Sequence, residues 1–323
     1  MGEMRFRPLG HSGLMVSVVG VGCNAFGSRI DADQVGRVVD EALDQGVTLF
    51  DTADSYGDGA SEELLGRALG SRRESVVVAT KFGMGDHHAE HWGAHGSRRY
   101  VRRAVEASLR RLGTDYLDLY QLHRPDPITP VEETLEAMSE LVTEGKVRYL
   151  GSSNLAAWQV TEAEWTARTS GTQRFVSAQN EYSLYNRLAE RELVPACEAA
   201  GVGILPYFPL AYGLLTGKYR RGQPAPEGSR LALGSQASRL AGARWDRVEA
   251  LESFAEERGI SLLSLAMGGL AAQPAVASVI SGVTRPEQVA SNVAAGSWEP
   301  TNEDLATLEA MREAPAFSYT SFA

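Results

Sequence analysis

QVGRVVDEALDQGVTLFDTADSYGDGASEELLGRALGSRRESVVVATK, residues 34–81, alternates helix-like and strand-like segments. Apolar residues recur at helical spacing over 34–45, and the almost wholly apolar run 49–54 follows. The same order repeats with a helical pattern at 63–69 and an apolar run at 76–81. This alternation is typical of βαβ units whose parallel strands are covered by helices on both faces.

The same pattern extends outward from this stretch to most of the chain. Helices are expected to begin near Asp31, Ser61, Ser97 and Pro130, and glycine often follows their ends as a left-handed cap. Eight apolar runs have strand character: 18–23, 49–54, 76–81, 117–123, 147–152, 175–180, 203–208 and 278–282. Eight such pairs in about 250 residues favour a closed (β/α)8 barrel over a doubly wound sheet, which usually has fewer strands.

Segments outside the eight pairs are expected to decorate one domain that spans residues 1–323. Runs 6–9 and 14–16 flank His11-Ser12-Gly13 and predict a hairpin that plugs the N-terminal end of the barrel. Residues 211–243 are rich in Gly, Arg and Pro, which favours a binding loop or lid. Extra helices are predicted at 244–258 and 303–313, near the C-terminal end of the chain.

Composition excludes several classes of function. The 323 residues carry a net charge of −10, which opposes binding to nucleic acid and to anionic membranes. No apolar run is long enough to cross about 30 Å of hydrocarbon, and the first residues lack the apolar core of a signal peptide. The two cysteines, Cys23 and Cys197, form no disulfide or metal-binding pattern. We expect a cytoplasmic protein without a membrane partner, and the sequence does not indicate its oligomeric state.

Four polar residues fall where a barrel of this kind carries its reacting groups, at the C-terminal ends of strands. Asp51 and Lys81 end the second and third predicted strands, His123 ends the fourth, and Tyr56 lies in the loop after the second. Each also has an ordinary structural role open to it: a turn acceptor, a solvated charge, a core histidine or a packed ring. Their convergence on one barrel mouth favours a catalytic site.

These four side chains suit the reduction of a carbonyl group. The reaction needs a hydride on carbon and a proton on oxygen, and a phenol with a pKa near ~10 is a weak acid at neutral pH. An ammonium group at Lys81 would lower the pKa of the Tyr56 phenol, and Asp51 would keep that ammonium charged despite burial. His123 would orient the substrate carbonyl.

With these residues in place, the sequence resembles the aldo-keto reductase superfamily over nearly its whole length. The matching pattern comprises GVGCN (20–24), FDTA (50–53) with YG (56–57), SEELLG (61–66), ATKF (79–82), SL and RL (108–109 and 111–112), LDL (117–119), GKVR (145–148) and SN (153–154). The resemblance implies a (β/α)8 barrel that reduces aldehydes or ketones. It also implies that NADPH binds across the barrel mouth without a Rossmann fold, and the chain lacks G-x-G-x-x-G after a strand.

The resemblance further assigns residues to the cofactor. Ser153, Asn154 and Gln179 would bind the nicotinamide carboxamide, and Tyr207 in the seventh strand would stack on the ring. The other cofactor residues implied lie at the ends of strands one, seven and eight: Gly22, Pro209, Leu210, Gly213, Leu215, Lys218, Gly282, Thr284, Arg285, Gln288 and Asn292.

Arg285 bears on the choice of cofactor. A guanidinium beside a helix N-terminus suits the 2′-phosphate of NADPH, so we favour NADPH over NADH; the alternative role for Arg285 is a solvated surface charge. Ser153 and Asn154 could cap a helix, Tyr207 could pack in the core, and Gln179 could be a satisfied interior amide. Phe208 departs from the small hydroxyl residue found in many relatives, so a side-chain phosphate contact there is in doubt.

The substrate side is less well marked. Asn24, Phe26, Trp92 and Arg124 are candidates for the pocket because they face the same mouth, with packing as the alternative role. The loop 83–96 carries four histidines, His87, His88, His91 and His95. A glycine-flanked loop gives the imidazoles few neighbours that could orient them toward a metal, so we favour substrate contact over zinc and predict no metal. The short tail, 314–323, offers a small aromatic lid.

Two further functions compete with carbonyl reduction. One is a nucleotide-sensing regulatory subunit, similar to the potassium-channel β subunits of this superfamily, which would bind the cofactor and turn over slowly. The other is a barrel isomerase or aldolase in which Lys81 would form a Schiff base and Asp51 would act as acid or base. The placement of Tyr56 and His123 argues against the second.

Overall fold

The computed structural model describes residues 4–84, 93–232 and 234–312. Within these residues the strands are β1 (Phe6–Pro8), β2 (Met15–Ser17), β3 (Val19–Gly22), β4 (Leu49–Asp51), β5 (Val77–Phe82), β6 (Leu117–Leu122), β7 (Val147–Ser153), β8 (Phe175–Gln179), β9 (Gly203–Ile204) and β10 (Val279–Gly282). The observed strands follow the predicted runs and are mostly shorter, because the predicted bounds included residues of the loops at both ends.

The α-helices of the described residues lie between and after these strands. They are α1 (Ala32–Asp44), α2 (Ala60–Leu69), α3 (Arg98–Leu112), α4 (Val131–Thr143), α5 (Ala157–Ser170), α6 (Leu193–Ala200), α7 (Ala237–Ala241), α8 (Trp245–Glu257), α9 (Leu262–Ala271), α10 (Pro286–Gly296) and α11 (Asn302–Ala310). Asp31 and Ser97 cap α1 and α3 through their side chains, as expected. Ser61 does not cap α2, because it lies inside that helix and its buried hydroxyl donates to the carbonyl of Cys23.

Eight parallel strands form one sheet in the order β10-β3-β4-β5-β6-β7-β8-β9. The two ends of the sheet meet, since Ile204 in β9 forms a parallel bridge with Val276 and the N–H of Ile280 in β10 donates to the carbonyl of Pro206 at 3.2 Å. The predicted (β/α)8 barrel is therefore confirmed.

The predicted N-terminal hairpin is also present. Strands β1 and β2 pair antiparallel. Leu9 and Val16 are fully buried and pack with inward-facing residues such as Leu49 and Leu119, so the hairpin closes the N-terminal end of the barrel. The larger hydrophobic cluster lies between the sheet and the surrounding helices.

Strand alternation decides which side chains reach the barrel interior. Leu49, Ala79 and Leu119 belong to the interior cluster. Because side chains alternate along a strand, Asp51 and Lys81, two residues further on, point into the same interior at its C-terminal end. Phe82 and Tyr120 point outward and pack against each other beneath the helices, with ring centres 4.7 Å apart.

The seventh strand and the segment after it differ from the sequence prediction. The strand ends at Ile204, so Tyr207 lies beyond it and forms only an isolated bridge with Glu181. The loop predicted at 211–243 contains short 3-10 turns and the helix α7. Among the described helices, none combines the length and apolar character that a membrane span requires.

Candidate active site

Asp51, Tyr56 and Lys81 form a compact group at the barrel mouth. The Lys81 ammonium donates to Asp51 Oδ2 at 2.8 Å, to the carbonyl of Thr52 at 2.8 Å and to the Tyr56 hydroxyl at 3.5 Å. Lys81 is 0% and Asp51 3% exposed. A fully buried cation is thus held against one carboxylate and one phenol, and such an arrangement is rare outside functional sites.

Burial and charge act in opposite directions on this group. Burial raises the pKa of Tyr56, and the opposing effect of Lys81 is too small to reverse it. Lys81 therefore acts on the phenol pKa in the expected direction, and burial of Tyr56 outweighs it. Burial also disfavours the Lys81 ammonium, but Asp51 and Tyr56 together hold the pKa of Lys81 above its ordinary value.

His123 completes the group. Its ring lies edge-on to Tyr56, with ring centres 6.0 Å apart and planes at 80°. Burial and the nearby charges of Lys81 and Arg124 hold the pKa of His123 well below its ordinary value of 6.5. Nδ1 is buried without a hydrogen-bond partner among the described residues. A neutral imidazole with an unused nitrogen therefore stands beside the phenol.

Interior amides connect Asp51 to the far side of the barrel. Asp51 Oδ1 accepts a hydrogen bond from Gln179 Nε2 at 2.8 Å and a longer one from Gln121 Nε2 at 3.4 Å. The Ser177 hydroxyl donates to Gln121 Oε1 at 3.4 Å. Gln121 and Ser177 were not singled out from the sequence, although their positions in period-two strands would have placed them in the interior.

Ser153, Asn154 and Tyr207, which the resemblance assigned to the nicotinamide, lie together. Asn154 has a left-handed backbone, with φ 60°, and its amide donates to the carbonyl of His123 at 3.0 Å. The Tyr207 hydroxyl donates to Asn154 Oδ1 at 2.8 Å. Asn154 and Tyr207 also line a cavity of about 520 Å³ that extends toward Asn180, whose buried Oδ1 has no partner among the described residues.

The loop after β9 is tightly bent beside Tyr207. Phe208, Ala211 and Tyr212 have positive φ angles of 52°, 46° and 60°, a conformation that costs free energy in non-glycine residues. Pro209 is buried and Leu210 is partly exposed, whereas Leu215 is fully buried in a hydrophobic cluster with α8 and α9. Gly213 is partly exposed and Lys218 is exposed.

Three arginines that sequence reasoning did not select lie near this loop. Arg230 lies 5.2 Å from the Phe208 ring centre, and Arg239 lies 3.9 Å from the Tyr212 ring centre. Burial and then Arg29 lower the pKa of Arg230. No ion pair with a carboxylate forms at any of the three among the described residues, so they make an uncompensated cationic patch suited to an anion. The loop's arginine content was visible in the sequence, but not which arginines cluster.

The residues after β10 largely bond to one another. Gln288 Oε1 accepts from the backbone N–H groups of Thr284 and Arg285, at 2.7 and 3.2 Å, and so caps the start of α10. The Asn292 amide donates to the Ser281 hydroxyl at 2.8 Å in a buried position. The Arg285 side chain remains exposed at the helix N-terminus. Gly22 and Gly282 pair between β3 and β10.

The substrate candidates divide into three groups. Asn24 and Arg124 are exposed near the mouth, and the charge of Arg124 acts on both His123 and Tyr207. Phe26 is fully buried in the hydrophobic core, which favours packing, the alternative role. Trp92 and the tail 314–323 lie outside the described residues, as do His87, His88 and His91. In the part of the chain that the structure describes, no three metal-ligating side chains cluster.

Comparison with known proteins agrees with this fold. The model of the aldo/keto reductase family matches residues 18–313. The chain therefore belongs to the aldo/keto reductase family, a family of oxidoreductases.

The most similar relatives include both enzymes and channel subunits by name. A probable voltage-gated potassium channel subunit beta of Oryza sativa subsp. japonica is 37% identical, over 90% of this chain and 91% of that protein. A protein of the same name from Arabidopsis thaliana is 36% identical, over 90% and 91%. Versiconal hemiacetal acetate reductase of Aspergillus parasiticus is 33% identical, over 95% and 96%.

Proposed function

We propose that this protein is an NADPH-dependent carbonyl reductase that converts an aldehyde or ketone to an alcohol, with Tyr56 as the proton donor. The observation that supports the proposal most strongly is the buried Lys81 ammonium, which contacts both Asp51 and the Tyr56 hydroxyl. A phenol beside a fixed cation can release its proton to a developing alkoxide, because the cation stabilises the phenolate that remains.

Each member of the group has a distinct task in this reaction. Tyr56 donates its proton to the carbonyl oxygen, and Lys81 stabilises the phenolate. Asp51 keeps Lys81 protonated and is itself oriented by Gln179. His123, neutral because its pKa is depressed, can donate a hydrogen bond to the substrate oxygen without acting as a second proton donor in place of Tyr56.

The residues around the mouth fit a nicotinamide dinucleotide. Asn154 bonds to the backbone of His123 and to the Tyr207 hydroxyl, and Arg29, Arg230 and Arg239 form a cationic patch without carboxylate partners among the described residues. Asn154, Ser153 and Gln179 would hold the carboxamide, the patch would hold the diphosphate, and Arg285 would meet the 2′-phosphate. The cofactor would supply the hydride. We infer NADPH rather than NADH from Arg285, and a small carbonyl compound as the second ligand.

A regulatory role is the second candidate, and the names of two similar proteins favour it. In that role the chain would bind the cofactor with slow turnover and report its redox state to a partner. A Schiff-base role for Lys81 is disfavoured, because a fully buried, hydrogen-bonded ammonium with a raised pKa is a poor nucleophile.

Fluorescence titration with NADPH and NADH, followed by NADPH oxidation with a panel of aldehydes, ketones and diketones, tests the proposal. Tight binding of NADPH with turnover of at least one carbonyl is the expected result. Binding with only very slow turnover across the panel would favour the regulatory role. The absence of binding would overturn both.

A further inference from the structure

Asp54 is a buried carboxyl group that the proposed reaction does not use. Its side chain is 3% exposed, and neither carboxyl oxygen has a hydrogen-bond partner among the described residues. The Asp54 backbone N–H donates to the carbonyl of Lys81 at 3.0 Å, and Tyr56 follows two residues later. Asp54 therefore lies in the segment that connects Asp51 to Tyr56.

The surroundings of Asp54 belong to the layer between sheet and helices. Glu62 in α2 is fully buried there, and it accepts hydrogen bonds from Thr80 at 2.5 Å and from Arg111 in α3 at 2.7 Å. Arg111 is therefore already paired with Glu62. The Tyr120 hydroxyl of β6 is also buried here and has no hydrogen-bond partner in the described part of the chain. Of the charges that act on the pKa of Tyr120, that of Asp54 has the largest effect.

This layer also supports the loop that carries Tyr56. A methyl group added at Gly59 would lie 2.7 Å from the Arg111 side chain, so the loop packs directly on the Arg111–Glu62 pair. Asp58 and Gly57 in the same loop have left-handed backbones, with φ 60° and 57°. A loop with this strain keeps its shape only while its packing is intact.

The groups that face Asp54 decide its charge. Burial and the negative charge of Glu62 raise the pKa of Asp54 to about 7, against opposing effects of Arg111, the Ser55 backbone and Lys81. Tyr100 in α3 joins Tyr120 and Glu62 in the same electrostatic cluster. An Asp54 carboxylate would be buried with no side-chain hydrogen-bond donor among the described residues and with little help beyond the Ser55 backbone, and such a charge is costly.

We propose that Asp54 is a positioning residue: as a neutral acid it packs under the segment that presents Tyr56, and its ionisation frees that segment and moves Tyr56 away from Lys81. The inference rests on the proposed function only where activity is concerned. The folded state holds the Asp54 proton more tightly than the unfolded state does, so protonation of Asp54 stabilises the fold. This contribution to the free energy of unfolding is complete below the unfolded pKa of ~3.9 and is lost as pH rises through about 7.

Asp54→Asn tests this inference, because the amide mimics the protonated acid and cannot ionise. Asp58→Asn is the matched control, since Asp58 is exposed in the same loop. Hydrogen exchange of the peptides that cover 52–60, corrected for intrinsic rates, is compared at pH 6.0 and 8.5. We expect the protection factors of these peptides to be about tenfold lower at pH 8.5 than at pH 6.0 in wild type and Asp58→Asn, and to be unchanged in Asp54→Asn.

Activity gives a second readout. The kcat for carbonyl reduction should fall about fivefold more between pH 6.0 and 8.5 in wild type than in Asp54→Asn, with KM for NADPH little changed. Equal pH dependence of exchange in wild type and Asp54→Asn would overturn the inference. If no variant reduces any carbonyl compound, the proposed function fails, and the exchange measurement still decides the role of Asp54.

A folding failure is also informative. Should Asp54→Asn not fold, Asp54→Leu supplies a neutral side chain of similar size without polar atoms. Instability of both at pH 6.0 would contradict the inference, because it requires that a neutral side chain be tolerated at this position. A folded Asp54→Leu with pH-independent protection of 52–60 would support it.

Discussion

The Lys81 ammonium lies 2.8 Å from Asp51 Oδ2 and 3.5 Å from the Tyr56 hydroxyl, with the lysine wholly buried. The Asp51 carboxylate compensates the buried Lys81 charge, and the same ammonium also contacts the Tyr56 hydroxyl, where it can stabilise a phenolate. Removing any one of the three changes the electrostatic environment of the other two.

Tyr56→Phe should reduce the kcat for carbonyl reduction by more than about a thousandfold, since the proton donor is lost while the ring that packs beside His123 is kept. The dissociation constant for NADPH should change less than about threefold. Tyr116→Phe is the matched control, because Tyr116 lies just before β6, at the opposite end of the barrel. Retention of the wild-type rate in Tyr56→Phe would remove Tyr56 from its proposed role.

Lys81→Met should also reduce kcat severely, because the phenolate loses its stabilising cation. It should lower the free energy of unfolding as well, by about 3–5 kcal/mol, since Asp51 is left buried without a counter-ion. The double variant Asp51→Asn with Lys81→Met removes both charges. We expect it to unfold at a higher urea concentration than Lys81→Met and to remain inactive. Recovery of activity in the double variant would show that Lys81 acts only through stability.

The sequence predicts the barrel well because short apolar runs and helix caps are local signals. Asp51, Lys81 and His123 follow from the same alternation, since each ends a strand whose earlier residues line the interior. The net direction of the pKa shift of the Tyr56 phenol does not follow from the sequence, because it depends on how deeply Tyr56 is buried. That quantity belongs to the folded chain, not to the local pattern.

The cofactor side was less predictable, for a related reason. Arg230 and Arg239 lie in a segment of weak periodicity, and only tertiary packing brings them to Phe208 and Tyr212. Gln288, which the resemblance assigns to the cofactor, also caps α10 through its side-chain oxygen. A polar residue at the start of a helix serves either purpose, and sequence alone does not separate the two.

Close packing between α2 and α3 gives a prediction on stability. A methyl group at Gly66 would overlap the carbonyl of Leu112, whereas one at Gly36 in α1 would meet nothing within 4 Å. Gly66→Ala should therefore lower the free energy of unfolding by about 1–3 kcal/mol. Gly36→Ala should raise it by about 0.5–1 kcal/mol through helix propensity. Urea unfolding measures the free energy of unfolding of both variants. Equal effects of the two substitutions would mean that α2 and α3 accommodate a methyl group at Gly66 without loss of stability.

The depressed pKa of His123 predicts the acid side of the pH profile. Because His123 is already neutral below its ordinary pKa of 6.5, carbonyl reduction should not decline as pH falls from 6.5 to 5.5. Arg124→Gln removes one of the two cations that lower this pKa, so the imidazole resonances should titrate at higher pH in that variant. NMR of the imidazole group follows the titration directly. Titration of His123 near pH 6.5 in wild type would contradict the neutral assignment.

Arg285 and Arg230 should affect the two cofactors differently. Arg285 is exposed beside the N-terminus of α10, where a 2′-phosphate would distinguish NADPH from NADH, whereas Arg230 lies in the cationic patch near Phe208, where both cofactors would place their diphosphate. Arg285→Ala should raise KM for NADPH about tenfold and leave KM for NADH nearly unchanged. Arg230→Ala should weaken both to a similar degree. Equal effects of Arg285→Ala on the two cofactors would place the 2′-phosphate elsewhere. The patch of Arg29, Arg230 and Arg239 would then be the next place to test, because none of these arginines forms an ion pair with a described carboxylate.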